Sequence, residues 1–159
     1  MRRREYPCPC GYAGDTLRQC TCAPSAIERY QKRISGPLLD RIDMVVHVAP
    51  TPPVELSRAP PGEATAVVAA RVAQARGVQR GRYGTAATNA EADLDAIVLT
   101  ADARTLVEQA AERLRLSARG FTRVLRVART IADLAGASDV RRPDVAEALA
   151  YRHRIPGRK

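Results

Sequence analysis

The most regular alternation of apolar and polar positions lies between residues 117 and 135. Phe121, Val124, Leu125, Ala128, Ile131, Ala132 and Ala135 recur at i, i+3, i+4 and i+7, with Arg119, Arg123 and Arg126 on the opposite side. This pattern predicts an amphipathic helix with its apolar stripe turned to a core and its arginines, Arg129 included, on a solvated face. Ser117 stands where the helix would open and Gly136 where it would close. Upstream, a helix capped by Asp102 and running to Leu116 should bury Leu106, Ala110 and Leu114; downstream, Pro143 falls in the first turn of a final helix, Asp144 to Arg152. Residues 91–159 therefore read as a helical domain.

Ahead of that domain the pattern is weaker. Glu63 to Arg80 predicts a helix with Ala64, Val67, Val68, Val72 and Ala75 on one face, flanked by Arg71 and Arg76, and the Gly-rich stretch from Arg80 to Asn89 predicts a mobile loop. Residues 51–62 are rich in proline and predict an extended linker. The alternation of Val45 and His47 within Met44 to Val48 predicts the last strand of an α/β core, on which His47 is a packed or surface residue rather than a ligand. Pro24 opens a short helix, Ser25 to Arg33, with Ile27, Tyr30 and Ile34 at helical spacing. Residues 1–50 are then the end of an α/β core, 51–62 a linker, and 63–90 a helix and loop leading to the helical domain.

Two stretches carry candidate chemistry. In SGPLLDRID, Ser35 to Asp43, Gly36 and Pro37 break the preceding helix, and Leu38, Leu39 and Ile42 can anchor a turn. Arg41 then either pairs with Asp40 or Asp43, or points outward as a fixed guanidinium able to stabilise phosphoryl oxygens across a subunit boundary. In CPCGYAGDTLRQCTC, Cys8, Cys10, Cys20 and Cys22 fall within a Pro- and Gly-containing loop. Four sulfurs can close a tetrahedral, structural Zn²⁺ site, although CxC pairs are less common for this than CxxC, and free or redox-paired thiols are the alternative.

The cysteine loop, SGPLLDRID and SARGFTRVLRVARTIADL (Ser117 to Leu134), in that order and with Arg76, Gln79 and Arg82 of ARGVQRGR, resemble the YifB/ComM group of magnesium-chelatase-like AAA+ ATPases. The resemblance covers nearly the whole chain and matches the C-terminal third of such a protein. It implies a mainly α fold: a C-terminal helical lid domain preceded by a remnant of the AAA+ α/β core. It implies an arginine finger at Arg41, acting in trans, and a sensor-2 arginine at Arg119 near the nucleotide γ-phosphate. A helix start meets the physical requirement at Arg119, because its free N–H groups and dipole favour a phosphate. For the full-length family the resemblance implies ATP and Mg as cofactors, a homo-oligomeric ring and ATP-driven remodelling of branched DNA. The sequence departs from the pattern in two ways. Tyr6 stands where the sensor-1 asparagine belongs, and no GxxxxGK[ST] phosphate loop or strand ending in paired acids occurs. ATP binding by this chain alone is therefore not expected, and Arg76, Gln79 and Arg82 match the group without a role that spacing reveals.

Composition changes this picture little. Aromatic residues make up 4% with no Trp, so the core must be built from Ala, Val, Leu and Ile. The net charge of +9 favours a polyanionic partner and keeps open a second reading, a basic nucleic-acid-binding or interaction module. Metal insertion into a porphyrin is disfavoured, because the cysteine loop resembles YifB/ComM rather than the chelatase subunit. No apolar run is long enough to span a membrane, and Met1 to Glu5 is basic, predicted disordered and without an apolar segment behind it. The expectation is a cytoplasmic protein with no membrane partner, whose clustered cysteines are thiolates.

Overall fold

Ser117 and Gly136 bracket the strongest apolar stripe, and they bracket a helix in space. A computed structural model of the chain describes residues 6–33, 36–46, 48–49, 51–84 and 88–152. Its helices are α1 (Pro24–Gln31), α2 (Gly36–Leu39), α3 (Pro53–Arg58), α4 (Thr65–Tyr83), α5 (Ala101–Leu114), α6 (Ala118–Leu134) and α7 (Arg142–Ala150). The fold is mainly α, and among the described residues the sole β pairing is an isolated parallel bridge between Leu99 and Val140. The chain divides into two units, one comprising 1–39, 46–61 and 155–159, the other Asp40–Val45 and Gly62–Arg154.

In the larger unit, α6 forms as its stripe dictates. The Ser117 hydroxyl accepts the Gly120 N–H at 3.1 Å, supplying one partner to the unsatisfied donors of the first turn. At the other end Gly136 adopts φ 69°, the left-handed conformation that glycine tolerates, and the Ala137 N–H reaches back to the Ala132 carbonyl at 2.9 Å. Val124, Leu125, Ala128 and Ala132 are buried, Phe121 and Ile131 half-buried, and Ala135 exposed. All but Ala135 pack with Ile97, Ala103, Val107, Val140, Val145 and Ala148 into one core of small and branched side chains. Helix α7 starts at Arg142 rather than Asp144. Pro143 occupies its first turn, and Asp144 accepts the Arg141 N–H at 2.8 Å.

Helix α5 departs from its predicted face. Thr100 rather than Asp102 is the N-cap residue, and Asp102 sits inside the first turn. The fully buried positions are Ala103 and Val107, whereas Leu106 and Ala110 are half-buried and Leu114 is exposed. The bridge accounts for the rotation. The Thr100 N–H donates to Val140 at 3.0 Å and the Val140 N–H to Val98 at 2.9 Å, which fixes where the helix starts and hence which face turns inward. At its C-terminus Arg115 is held at φ 48°, strained for a residue with a Cβ. Arg115→Gly should therefore raise stability by about 0.5–1 kcal/mol, read as a higher urea midpoint; an unchanged or lower midpoint would count against that strain.

Three further expectations are corrected. Helix α4 runs on to Tyr83, so the start of the predicted mobile loop is helical, and Asn89 at its end is buried; residues 85–87 lie outside the described residues. Its predicted apolar face is not a core face: Ala75 is buried, but Val67 and Val72 are 54% and 47% exposed, because packing against α6 involves its C-terminal half. Met44 to Val48 is not a strand among its described residues. The Val45 N–H instead meets the Tyr151 carbonyl at 2.9 Å, and with no neighbouring strand the alternation has no sheet to serve. His47, Ser35, Ile34 and Met1–Glu5 lie outside the described residues.

In the smaller unit α1 begins at Pro24, much as its proline predicts, and the Gln31 side-chain amide donates to the Pro7 carbonyl at 3.1 Å, tying the helix to the cysteine loop. The proline-rich stretch is not wholly extended. Pro53 starts the short, exposed helix α3, its missing N–H being one a helix start leaves unbonded anyway.

Candidate functional site

Arg41 stands exposed between two carboxylates, and neither is its partner. Asp40 accepts the Ser117 hydroxyl at 3.0 Å and lies 3.9 Å from Arg152, while Asp43 pairs with Arg123. Arg152 also donates to the Ile42 carbonyl at 2.7 Å. The local ion-pair reading of Arg41 therefore fails, and among the described residues its guanidinium makes no ion pair. Ser117 is the N-cap of α6, two residues before Arg119, which is likewise exposed and outside any ion pair among the described residues. The hydroxyl of Ser117 thus joins the stretch holding Arg41 to the helix start holding Arg119. Burial lowers the pKa of Arg152, opposed by Asp40 and assisted by Arg123, without removing its charge.

The solvated-face expectation for the other α6 arginines holds for none of them completely. Arg126 donates to the Ala92 carbonyl at 3.0 Å and Arg123 to Asp43. Arg129 is buried. Its Nε meets Asp133 at 3.1 Å, and its two terminal nitrogens bond the Ser138 and Ala137 carbonyls at 2.7 and 2.6 Å, satisfying the turn into α7. Asp133, also buried, accepts Arg82 at 2.7 and 3.2 Å, Asn89 at 2.7 Å and Gln79 at 3.5 Å. Arg76 donates to Gln79 at 3.1 Å. The role that spacing could not supply for Arg76, Gln79 and Arg82 is this: they clamp α4 to α6 through one carboxylate. Burial opposes ionisation of Asp133, but Arg82, Asn89 and Arg129 outweigh it and hold its pKa below the ordinary carboxylate value. Conversely, the Asp133 hydrogen bonds raise the pKa of Arg82.

The cysteine loop brings all four sulfurs within 4.8 Å of one another. Cys8 lies 3.4 Å from Cys10 and 3.7 Å from Cys20, and Cys10 lies 3.6 Å from Cys20. A tetrahedral metal with Zn–S bonds of about 2.3 Å requires sulfurs about 3.8 Å apart, so the two CxC pairs converge adequately for one ion. Gly11 at φ 87° turns the chain after Cys10, and the Ala13 N–H donates to the Cys8 sulfur at 3.2 Å, stabilising negative charge there. Hydrogen bonds from the Tyr12 and Thr21 backbones pull the Cys10 thiol down to about 6. Cys20 is pushed up to about 12: the Cys22 backbone favours its thiolate, but burial and the neighbouring Cys10 and Cys8 outweigh it. The unlike thiols are what one shared site produces when its sulfurs compete for one negative charge. These four residues could hold a metal.

Sequence reasoning missed Asp133, Asn89 and Arg152. The one available signal was the spacing of Arg129 and Asp133, i and i+4, on the edge of the apolar stripe.

A family model described as magnesium chelatase, subunit ChlI C-terminal, matches residues 62–152, and another, magnesium chelatase, subunit ChlI, matches 4–56. The chain is similar to the competence protein ComM of Haemophilus influenzae, with 39% identity over 150 residues, covering 92% of this chain and 29% of that protein. It is similar also to the uncharacterized YifB proteins of Salmonella typhimurium and Escherichia coli, each 36% identical, covering 92% of this chain and 29% of the relative. The chain thus spans less than a third of the length of these curated relatives. With its ChlI C-terminal match spanning more than half of its residues, this chain belongs to the magnesium-chelatase-like family, in the YifB/ComM group.

Proposed function

We propose that the chain, as the C-terminal portion of an AAA+ motor that assembles as a homo-oligomeric ring and remodels DNA, supplies two arginines to ATP sites whose phosphate loop lies outside these 159 residues, Arg41 acting in trans. The observation carrying this reading is that Asp40 and Asp43 are both engaged elsewhere, leaving Arg41 exposed and joined through Ser117 to the helix start that bears Arg119. Arg41 acts as the finger: a planar, permanently charged donor that takes up charge developing on the transferring phosphoryl oxygens. Arg119 contacts the γ-phosphate beside the N-terminal dipole of α6. ATP and Mg²⁺ would be held by groups outside these 159 residues, in which no phosphate loop occurs.

Restoration in trans tests this. The chain alone should release no phosphate above a buffer blank. Mixed with a ComM-type relative whose own finger arginine is replaced by alanine, it should restore ATP hydrolysis by about 10³-fold or more, and its Arg41→Ala variant should not. Hydrolysis by the isolated chain, or equal restoration by Arg41→Ala, would sink the assignment.

Cys8, Cys10, Cys20 and Cys22 are proposed to hold one Zn²⁺ in a structural role. Four thiolates close the tetrahedron and leave no open position for substrate, so the metal would order the loop rather than take part in chemistry.

A further inference from the structure

Helix α1 presents Ala26, Arg29 and Tyr30 at i, i+3 and i+4, the spacing of a face that normally enters a core, and Arg33 follows in the turn just past its last residue, Gln31. No core covers it. With Pro9 of the cysteine loop as the opposite wall, these residues line an open cleft of about 390 Å³ within the smaller unit. Its charges are available. Lys32 is taken by Glu28 at 2.7 Å, but Arg29 and Arg33 form no ion pair among the described residues. The Arg33 guanidinium lies 5.6 Å from the Tyr30 ring centre, and the same unit holds a second such pair, Arg18 over Tyr12 at 5.3 Å.

From this cleft we infer a binding site for single-stranded nucleic acid, with Arg29 and Arg33 on successive phosphates and Tyr30 and Pro9 taking a base between them. Arg29 lines the cleft from the helix and Arg33 from the turn that ends it, so one strand passing along the cleft can meet both with neighbouring phosphates. An acidic peptide would satisfy the two guanidiniums but would leave the Tyr30 and Pro9 surface without a flat partner, whereas every base offers a π-face. A duplex keeps its bases stacked away from the ring. The inference rests on the nucleic-acid part of the proposed function but uses neither Arg41 nor Arg119, so ATPase restoration and oligonucleotide binding can fail separately.

The test is fluorescence anisotropy of the whole chain with a labelled, mixed-sequence DNA single strand of about 15 nucleotides, within the range of known single-strand sites. The Arg29→Ala/Arg33→Ala variant should bind about 10-fold or more weakly and show a salt slope shallower by about 1.4. Tyr30→Ala should lose about 5-fold or more, and Tyr30→Phe should bind as the wild type does. Arg29→Lys/Arg33→Lys, which preserves charge and helix propensity, should retain the salt slope. Arg104→Ala/Arg113→Ala, removing equal charge from α5, should bind within about 2-fold of wild type. Equal losses for the two double-alanine variants would reduce the effect to net charge and overturn the site. So would wild-type binding by Tyr30→Ala, or a duplex of the same sequence bound as tightly as the single strand.

Discussion

Asp133→Ala should cost about 3–5 kcal/mol of stability, a large share of a typical total of about 5–15 kcal/mol. The carboxylate is buried and accepts from Arg82, Arg129, Asn89 and Gln79, so its removal strands the buried guanidinium of Arg129 and unpairs Arg82. Arg129 keeps its bonds to the Ala137 and Ser138 carbonyls, but these neutralise no charge. Urea unfolding followed by circular dichroism measures the loss, and a variant within about 1 kcal/mol of wild type would contradict it. Replacing both arginines by methionine in the Asp133→Ala background should recover part of the stability, because an apolar pair of similar volume removes the stranded charge.

The same carboxylate predicts an acid limit. Its folded pKa is depressed, so the unfolded chain takes up the proton first as pH falls. Its stabilisation is fully present above the unfolded carboxylate value of about 3.9 and is lost below that value as pH drops through the folded one. Asp133→Asn should flatten this part of the stability–pH profile.

Stripping the proposed zinc should have a larger effect in free energy, but one confined to the cysteine loop, since a structural zinc site contributes an apparent stabilisation of about 10–16 kcal/mol at neutral pH. Protein purified without added metal should carry about one zinc by elemental analysis, and a strong chelator should release it together with four titratable thiols. The loop 8–22 should then become sensitive to protease, while the helix signal of the larger unit persists, because its core contains none of the loop's side chains. Cys20→Ser should abolish stoichiometric metal. Less than about 0.2 equivalents of zinc with four reactive thiols would establish free thiols, and fewer than four thiols without reductant would establish a disulfide.

Helix α6 was legible from sequence because its stripe, N-cap and terminal glycine are local signals that agree with one another. The family and its mainly α fold followed from the same stretches. Arg129 was misread because a pattern of arginines beside an apolar stripe looks solvated from the sequence, and its burial depends on carbonyls beyond the end of the helix and on Asp133. Arg76, Gln79 and Arg82 had no readable role, since Asp133, the partner of Gln79 and Arg82, lies about 50 residues away and becomes a neighbour only when α4 packs against α6, and Arg76 acts only through Gln79. The valines of α4 and of Met44 to Val48 have apolar periodicity without a surface to pack on, and periodicity alone does not distinguish a covered face from an exposed one.

Asp40–Val45 is fastened to the helical unit at four points: Asp40 to Ser117, the Ile42 carbonyl to Arg152, Asp43 to Arg123, and the Val45 N–H to the Tyr151 carbonyl. Arg152 itself crosses the first turn of α6 so closely that a Cβ at Gly120 would come within 2.9 Å of it. Arg41 and Arg119 consequently behave as two teeth on one gear. In the proposed ATP site a swing of the helical unit would carry both, so the two would engage or leave a phosphate together. Gly120→Ala, whose Cβ would displace the Arg152 guanidinium, is the substitution that would weaken one of these four fastenings without touching either arginine.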